Sequence, residues 1–229
     1  MFNGCTSLTD ALSLPATSLA NSCYSGMFYG CTSLTDAPAL LATSLAPYCY
    51  YSMFWDCTAL KKAPALPATS LTGSCYYYMF YGCTSLTEAP ALPATRLVDY
   101  CYSNMFYGCT SLTEAPALPA TGLAAYCYAS MFRNCTSLTE APALPATYLG
   151  AYCYAGMFNG CKNLSYINCN ATTNITTDNC SNWVDGVAPY GTFVKNPSAT
   201  WSTGVSGIPT NWDSTEDNQE INFVSVHIL

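Results

Sequence analysis

The stretch "GCTSLTEAPALPAT" occupies residues 82–95 and returns unchanged at residues 108–121. The dipeptide Met-Phe keeps the same period, since it recurs every 26 residues from Met1 to Met157. All seven methionines and thirteen of the fifteen cysteines are in this phase. A fixed period of this length predicts a solenoid of stacked units, six of which are complete within residues 1–156. Because Met1 occupies a repeat position, we expect the chain to be a piece of a longer protein.

The composition favours a folded, non-membrane chain that does not bind nucleic acid. The 229 residues are 51% hydrophobic and 8% charged, which is enough apolar material for one elongated core. Only six residues are Lys or Arg and the net charge is −7, which argues against phosphate recognition. No apolar run reaches the ~18 to 20 residues of a membrane span. The start shows no basic segment followed by an apolar one, so no signal peptide is visible.

The first part of each unit predicts a short parallel strand. In residues 86–112, Leu86, Ala89, Ala91 and Leu97 have leucine-rich-repeat spacing, and we expect their side chains in the core. Proline recurs at one strand position, where it cannot donate a hydrogen bond to a neighbouring strand. The members of this column are Pro38, Pro64, Pro90, Pro116 and Pro142. We therefore expect a narrow sheet over a thin core.

The second part of the unit, "CYSNMFYG" at residues 101–108, has an apolar pattern with helical spacing. At ~100° per residue, Cys101, Tyr102, Met105 and Phe106 share one face, which we predict to be buried. Gly108 suits a left-handed C-cap, as do the Gly, Asp and Asn at equivalent positions. The predicted fold class is an α/β solenoid, a leucine-rich-repeat-like stack of 26-residue strand-plus-short-helix units.

The segment "CYSNMFYGCTSLTEA" resembles the motif "IGxxAFxxCxxLxxI" of the BspA-like (Treponema-type) leucine-rich repeats of bacterial surface proteins. Cys101 stands at the motif's Ile and Met105 at its Ala, while Phe106, Cys109 and Leu112 match its Phe, Cys and Leu. The resemblance recurs in every unit over residues 1–164, although the 26-residue unit and the "APALPAT" strand depart from the pattern. It implies adhesion or ligand binding at a cell surface, with no catalytic residues.

The repeat phase continues beyond its recognisable letters. Residues 165–212 predict a degenerate seventh unit that caps the core, with "NCSNWVDGVA" as a capped helix and "YGTFVK" as a last strand. The strand and helix positions are taken by Ile167, Cys169, Ile175, Trp183, Val184 and Val187. This region resembles the C-terminal segments of repeat proteins from gut Bacteroidales and their phages. In residues 213–229 we predict an acidic linker, "DSTEDNQE", and a terminal strand, "INFVSVHIL".

The cysteines predict buried free thiols rather than disulfides or a metal site. On a helix, Cys101 and Cys109 would lie ~10 Å or more apart, beyond the ~7 Å limit of a disulfide. The chain has no C-x-x-C motif, so zinc-ribbon spacing is missing. Cys169 and Cys180 lie outside the two cysteine positions that repeat every 26 residues, and the sequence allows a disulfide between these two.

Two outward columns on the predicted helices carry aromatic side chains at high density. We predict that this aromatic strip binds a ligand, because tyrosine and tryptophan can stack on sugars or form protein contacts at low entropic cost. The alternative is that each ring lies over the gap between adjacent helices. The predicted ligand-binding residues are Tyr29, Tyr48, Trp55, Tyr81, Tyr100, Tyr107, Tyr126, Arg133 and Tyr152.

A second column on the strand side is mainly acidic. Neighbouring strands lie ~4.8 Å apart, so adjacent glutamates repel one another unless a cation or a basic partner lies between them. The alternative is that these are solvated charges that keep the surface soluble. The acidic members are Asp10, Asp36, Glu88, Glu114 and Glu140, and Lys62 interrupts them.

The sequence predicts a protein without enzymatic activity or cofactor. A column that repeats without distinction does not make the single distinct site that catalysis needs. Two function classes remain: a recognition module for a host or bacterial surface protein or glycan, and a structural subunit that self-associates head to tail through its uncapped first repeat. Either is expected to be extracellular, at a cell surface or on a virion.

Overall fold

The computed structural model describes residues 1–217, which form a solenoid of stacked coils around one continuous hydrophobic core. Each coil contains a ten-residue turn segment and an extended segment. The turn segments, numbered one to seven, are residues 21–30, 47–56, 73–82, 99–108, 125–134, 151–160 and 177–186. Among residues 1–217 there is no helical segment with the length and hydrophobicity of a membrane span.

The predicted helix is wrong: residues 99–108 form a chain of tight turns, and no helix occurs among residues 1–217. The N–H groups of Ser103 and Met105 donate to carbonyls three residues back, Tyr100 and Tyr102, at 3.3 and 3.2 Å. Every second N–H instead donates to the next coil, as Tyr102 does to the Cys127 carbonyl at 3.1 Å. Each N–H of residues 100–108 thus has a partner without an i→i−4 helical ladder.

Left-handed residues at fixed places explain why turns form. The second, sixth and tenth residues of a turn segment have positive φ, as in Tyr100 (57°), Asn104 (55°) and Gly108 (73°). Each is the third residue of a turn closed by an i→i+3 hydrogen bond, a position that requires positive φ in a type II turn. Gly108 is therefore left-handed as expected, but as one of a series rather than as a helix cap. The same pattern replaces the predicted helix in "NCSNWVDGVA", at Asn182 and Gly186.

The inward face of the turn segments is nevertheless the predicted one, since Cys101, Tyr102, Met105 and Phe106 are all buried. Equivalent residues of successive coils lie directly above one another. Phe106, for example, stacks on the phenylalanines of both neighbouring coils with ring centroids 5.6 and 5.7 Å apart. A stack of this kind buries apolar surface that no single unit could bury alone.

On the strand side, neighbouring coils pair through isolated parallel bridges such as Leu14↔Leu40, and not through continuous strands. The inward phase differs from the predicted one. Ala91 is exposed and Ala89 half-buried, whereas Leu92 and Ala94 are buried. Alternate residues of an extended segment point inward, and the phase that buries the larger leucine side chain is adopted.

Regular strands occur at the C-terminal end, in the order β1 Tyr166–Cys169, β2 Thr192–Lys195 and β3 Asp213–Glu216. They form one parallel sheet in which β2 lies between β1 and β3. The strand predicted in "YGTFVK" is β2. The predicted acidic linker instead begins with β3, which is fixed by an ion pair of 3.0 Å between Lys195 and Glu216. The predicted strand "INFVSVHIL" lies outside the described residues.

All fifteen cysteines are free, including Cys169 and Cys180, and thirteen are buried. One of the two cysteine positions that repeat every 26 residues has a role beyond filling space, because its thiols donate hydrogen bonds to phenylalanine carbonyls of the preceding coil. Cys109 donates to the Phe80 carbonyl with an Sγ to O distance of 3.2 Å, and Cys57 donates to that of Phe28 at 3.1 Å. Burial raises the pKa of Cys57 to about 12, so the thiol keeps its proton at neutral pH.

Candidate binding surface

The first aromatic column occupies the second position of the turn segments. Tyr48, Tyr100, Tyr126 and Tyr152 all have φ between 54° and 57°. This left-handed conformation costs an L-residue roughly 1 to 2 kcal/mol and is uncommon for a bulky side chain. Tyr48, Tyr100 and Tyr152 are exposed, with 49% of Tyr48 and 36% of Tyr100 accessible, and Tyr126 is half-buried. Tyrosine is thus placed where the backbone favours glycine or asparagine, and this marks the column as a candidate site.

The second column occupies the ninth position. Tyr29, Trp55, Tyr81 and Tyr107 stack in succession, with centroid distances of 5.5, 4.1 and 4.5 Å. Arg133 continues the column, since its guanidinium lies 5.6 Å from the Tyr107 ring centre. The structure therefore brings the predicted residues into two separate columns.

Stacking occupies the ring faces within each column. Tyr126 has Tyr100 on one side and Tyr152 on the other, at 4.7 and 4.8 Å and within 5° and 8° of parallel. A sugar therefore has no free face of Tyr126 on which to stack. The column presents ring edges and hydroxyl groups to solvent. The hydroxyl groups can form hydrogen bonds, and the ring edges carry a partial positive charge.

Three tyrosines that were not among the predicted residues connect the two columns. Tyr51, Tyr77 and Tyr78 occupy the fifth and sixth positions of the second and third turn segments. Tyr77 and Tyr78 stack with centroids 4.1 Å apart, Tyr78 lies 4.8 Å from Trp55, and Tyr51 lies 6.1 Å from Tyr48. A comparison of the units at these two positions would have identified them. We call the two columns together with these three tyrosines the aromatic face.

Small residues at the same two positions open a groove in the fourth to seventh turn segments, with a volume of about 640 Å³. One wall is the tyrosine column, and Tyr77 closes one end. The opposite wall contains Arg133, Asn159 and Asp185. The floor includes Ser103, Asn104, Ala129, Ser130, Ala155, Gly156, Ser181 and Asn182. This groove was not predicted from the sequence.

Two tyrosine hydroxyls of the aromatic face, those of Tyr77 and Tyr81, have a raised pKa and keep their protons at neutral pH. Partial burial, with a smaller contribution from Tyr107, raises the pKa of Tyr81. Burial also raises the pKa of Tyr77, to which its hydrogen bond with Tyr78 adds. A protonated hydroxyl both donates and accepts hydrogen bonds, so these two tyrosines offer both kinds of contact without charge.

In the acidic column, the bridges Asp10↔Asp36, Asp36↔Lys62 and Lys62↔Glu88 pair residues of neighbouring coils. Lys62 Nζ lies 2.7 Å from Glu88 Oε2, and both side chains are more than half exposed. An exposed pair of this kind contributes little to stability. Within residues 1–217, no group of three or more His, Cys, Asp or Glu side chains is arranged to hold a metal ion.

Comparison with protein-family models gives one description, BspA type leucine-rich repeat region, which matches in six copies over residues 1–88, 50–157 and 72–182. Neither the curated proteins nor the solved structures give a match. The matched ranges include every turn segment except the last four residues of the seventh.

Proposed function

Because the chain belongs to the BspA-type leucine-rich repeat family, we propose that it is a non-catalytic recognition module that binds a protein or glycan through its aromatic face. The family suggests protein interaction or adhesion, and a surface, secreted or virion protein is the setting in which we place this module. The observation that carries the proposal is the continuity of aromatic contacts between the two columns, which runs from the exposed Tyr48 through the half-buried Tyr51, Tyr77 and Tyr78 to Trp55.

The aromatic face has the physical properties of a recognition surface. Tyrosine and tryptophan bury a large area when a partner binds, and each has a polar group that fixes orientation. Stacking between coils holds the rings before binding, so little side-chain entropy is lost on association. The positive φ of four column tyrosines adds support, because backbone strain of this kind is concentrated at functional sites.

Binding to an array of glycans and extracellular-matrix proteins tests the proposal. The variant combines Tyr48→Ser with Trp55→Asn, changes for which the chain itself provides precedents, since Ser22 and Asn159 occupy these positions in other coils. We expect at least a tenfold loss of affinity, the usual effect of removing central aromatic residues from an interface.

Tyr148→Ser is the matched control. Tyr148 is 58% exposed on the strand side, and serine occupies its position in earlier coils. This variant removes an exposed aromatic side chain without touching the aromatic face, so its binding should be unchanged. Equal losses in both variants, or no loss in either, would exclude the part of the aromatic face around Tyr48 and Trp55 as the binding surface.

Head-to-tail assembly is the second candidate, and the exposed apolar side chains of the first repeat favour it. Met1 is 94% exposed and Leu12 69% exposed. Sedimentation velocity over a range of concentrations tests it, with Leu12→Ser as the variant. A concentration-dependent increase in mass that Leu12→Ser abolishes supports assembly, and a monomer at all concentrations contradicts it.

A further inference from the structure

We propose that the groove of the fourth to seventh turn segments binds a linear, uncharged oligosaccharide that lies along the solenoid axis. This inference rests on the proposed function, because it names the ligand of one part of the aromatic face. Four properties of the groove lead to it: its shape, its hydrogen-bonding groups, its charge and its period.

The shape of the groove is set by two positions of the turn segment. In the third segment these positions hold Tyr77 and Tyr78, whose rings fill the space between the columns. In the fifth and sixth segments they hold Ala129 with Ser130 and Ala155 with Gly156, which leave it open. Three steps of ~4.8 Å between neighbouring coils give an open length of about 14 Å, which suits a chain of several linked units.

The walls and floor offer side chains that both donate and accept hydrogen bonds. Hydroxyls come from the tyrosine column and Ser130, and amides come from Asn104 and Asn159. A sugar ring carries several hydroxyls, each of which also donates and accepts, so the two surfaces match in chemistry. Polar groups of this kind, set into an aromatic-walled concavity, are typical of a small-ligand site.

The charge of the groove balances. Arg133 and Asp185 are its only charged lining residues, and they lie on the same wall. The Arg133 guanidinium is partly engaged by the Tyr107 ring, and the Asp185 carboxylate accepts a hydrogen bond from Asn159 Nδ2 at 3.4 Å. A single, balanced pair does not favour a polyanion, which would need several cationic contacts. An uncharged ligand meets no electrostatic penalty here.

The spacing of the rings along the groove wall fits the repeat length of a sugar chain better than that of a peptide. Equivalent rings recur every 4.7 to 4.8 Å along the wall. A peptide advances ~3.3 Å per residue as a strand and ~3.1 Å as a polyproline helix, so its side chains would lose register within two coils. A sugar ring with its glycosidic oxygen is longer than one amino-acid residue and is nearer to this spacing.

The floor also lacks the backbone groups that an added peptide strand would need. The N–H groups of Asn104 and Ser130 already donate to the Ala129 and Ala155 carbonyls of the next coil, each at 2.8 Å. Strand addition depends on unpaired main-chain donors and acceptors at a sheet edge. Recognition in this groove therefore occurs through side chains.

Calorimetric titration with linear neutral oligosaccharides tests the inference. The probes are β-linked glucose, β-linked N-acetylglucosamine and α-linked mannose oligomers of increasing length. We expect at least one series to bind, with affinity that increases with length until the groove is filled and then levels off.

Ser130→Tyr is designed to fill the groove without changing the fold. It reproduces Tyr78, which holds the same position two coils earlier with φ of 58°, against 52° for Ser130. We expect at least a tenfold loss of oligosaccharide affinity. Ser70→Tyr is the matched control, because it reproduces the exposed Tyr148 on the strand side and should bind as the unchanged protein does.

Tyr126→Phe provides a second variant if Ser130→Tyr fails to fold. It keeps the stacked ring and removes one hydroxyl from the wall, and we expect a loss of about three- to tenfold, equivalent to one hydrogen bond. Unchanged affinity in a folded Ser130→Tyr or Tyr126→Phe variant overturns the inference, as does the absence of binding by every probe.

Failure of this inference is distinguishable from failure of the proposed function. The variant Tyr48→Ser with Trp55→Asn alters the filled part of the aromatic face and leaves the groove intact. If that variant loses an array partner while Ser130→Tyr keeps it and no oligosaccharide binds, the recognition module stands and the groove ligand is refuted. If oligosaccharides bind, and Ser130→Tyr and Tyr126→Phe weaken their binding while Tyr48→Ser with Trp55→Asn does not, the inference stands.

Discussion

The positive φ of certain turn residues leads to a prediction about stability. At such a position glycine should be more stable than alanine if the segment is a chain of turns, and less stable than alanine if it is a helix. Ser130 has φ of 52° and its side chain is half-buried in the groove floor. Replacing it by Gly and, separately, by Ala changes the backbone preference while removing the same hydroxyl. Gly156 occupies the equivalent position one coil later, so glycine is compatible with the site.

The magnitude follows from two opposing contributions. An alanine held at positive φ costs roughly 1 to 2 kcal/mol, which glycine avoids. Glycine loses more conformational freedom on folding, which costs about 0.5 to 1 kcal/mol. The glycine variant should therefore be more stable than the alanine variant by about 0.5 to 1 kcal/mol. In a helix interior the order would be reversed, with glycine about 1 kcal/mol less stable than alanine.

Thermal unfolding followed by circular dichroism measures this difference. For a chain of 229 residues, 1 kcal/mol shifts Tm by ~2 to 4 °C. The Ser130→Gly variant should thus unfold about 1 to 4 °C above Ser130→Ala. Ala155→Gly is the control, because Ala155 is not among the positive-φ residues and the change should lower Tm. A Ser130→Ala variant that unfolds above Ser130→Gly would refute the turn assignment.

Three further measurements test the packing. Burial raises the pKa of Cys57 to about 12 from a usual 9.0, so the thiol of the unfolded state loses its proton first as pH rises. Tm should therefore be constant below about pH 9 and fall above it. A Tm that does not fall contradicts buried thiols. Only Cys5 and Cys23 are exposed, so a thiol reagent should modify two cysteines in the native protein and fifteen after denaturation. Phe106→Ala should lower the free energy of unfolding, measured in urea, by about 3 to 5 kcal/mol. Phe2→Ala should lower it clearly less, because Phe2 is only half-buried and stacks on a single ring. Equal losses of stability would contradict a continuous stack.

The sequence was sufficient to predict the solenoid and the inward residues but not the local conformation. A helix repeats every 3.6 residues and this turn segment every four, and over ten residues both place Cys101, Tyr102, Met105 and Phe106 on one side. Burial was therefore predicted correctly from the wrong element. The distinguishing signal was Gly156, since a glycine in the middle of a short segment disfavours a helix.

For the aromatic strip, the sequence predicted which residues recur in outward columns but not how their rings are arranged. Period alone places Tyr100, Tyr126 and Tyr152 in one outward column, but it does not say whether the rings lie flat or stand face to face. That choice depends on the distance between coils, which at ~4.8 Å is close enough for rings of adjacent coils to stack. Register on the strand side was missed for a related reason, because Ala91 and Leu92 are neighbours and only packing decides which points inward.

The repeat units differ at some positions of the turn segment and not at others, and this difference distinguishes positions needed for packing from positions at which a ligand surface can vary. Residues at the third, seventh and eighth positions of the turn segment are Cys, Met and Phe in each of the first six segments, and in the middle of the stack each such side chain has the same residue type above and below it. The fifth and sixth positions are not held to one residue type in this way. They vary from Tyr77 and Tyr78 to Ala155 and Gly156, and this change alone converts a filled aromatic surface into a groove. Under the proposed function, ligand preference would depend on these two positions, and exchanging these two residues between coils should move the groove along the solenoid without altering its core.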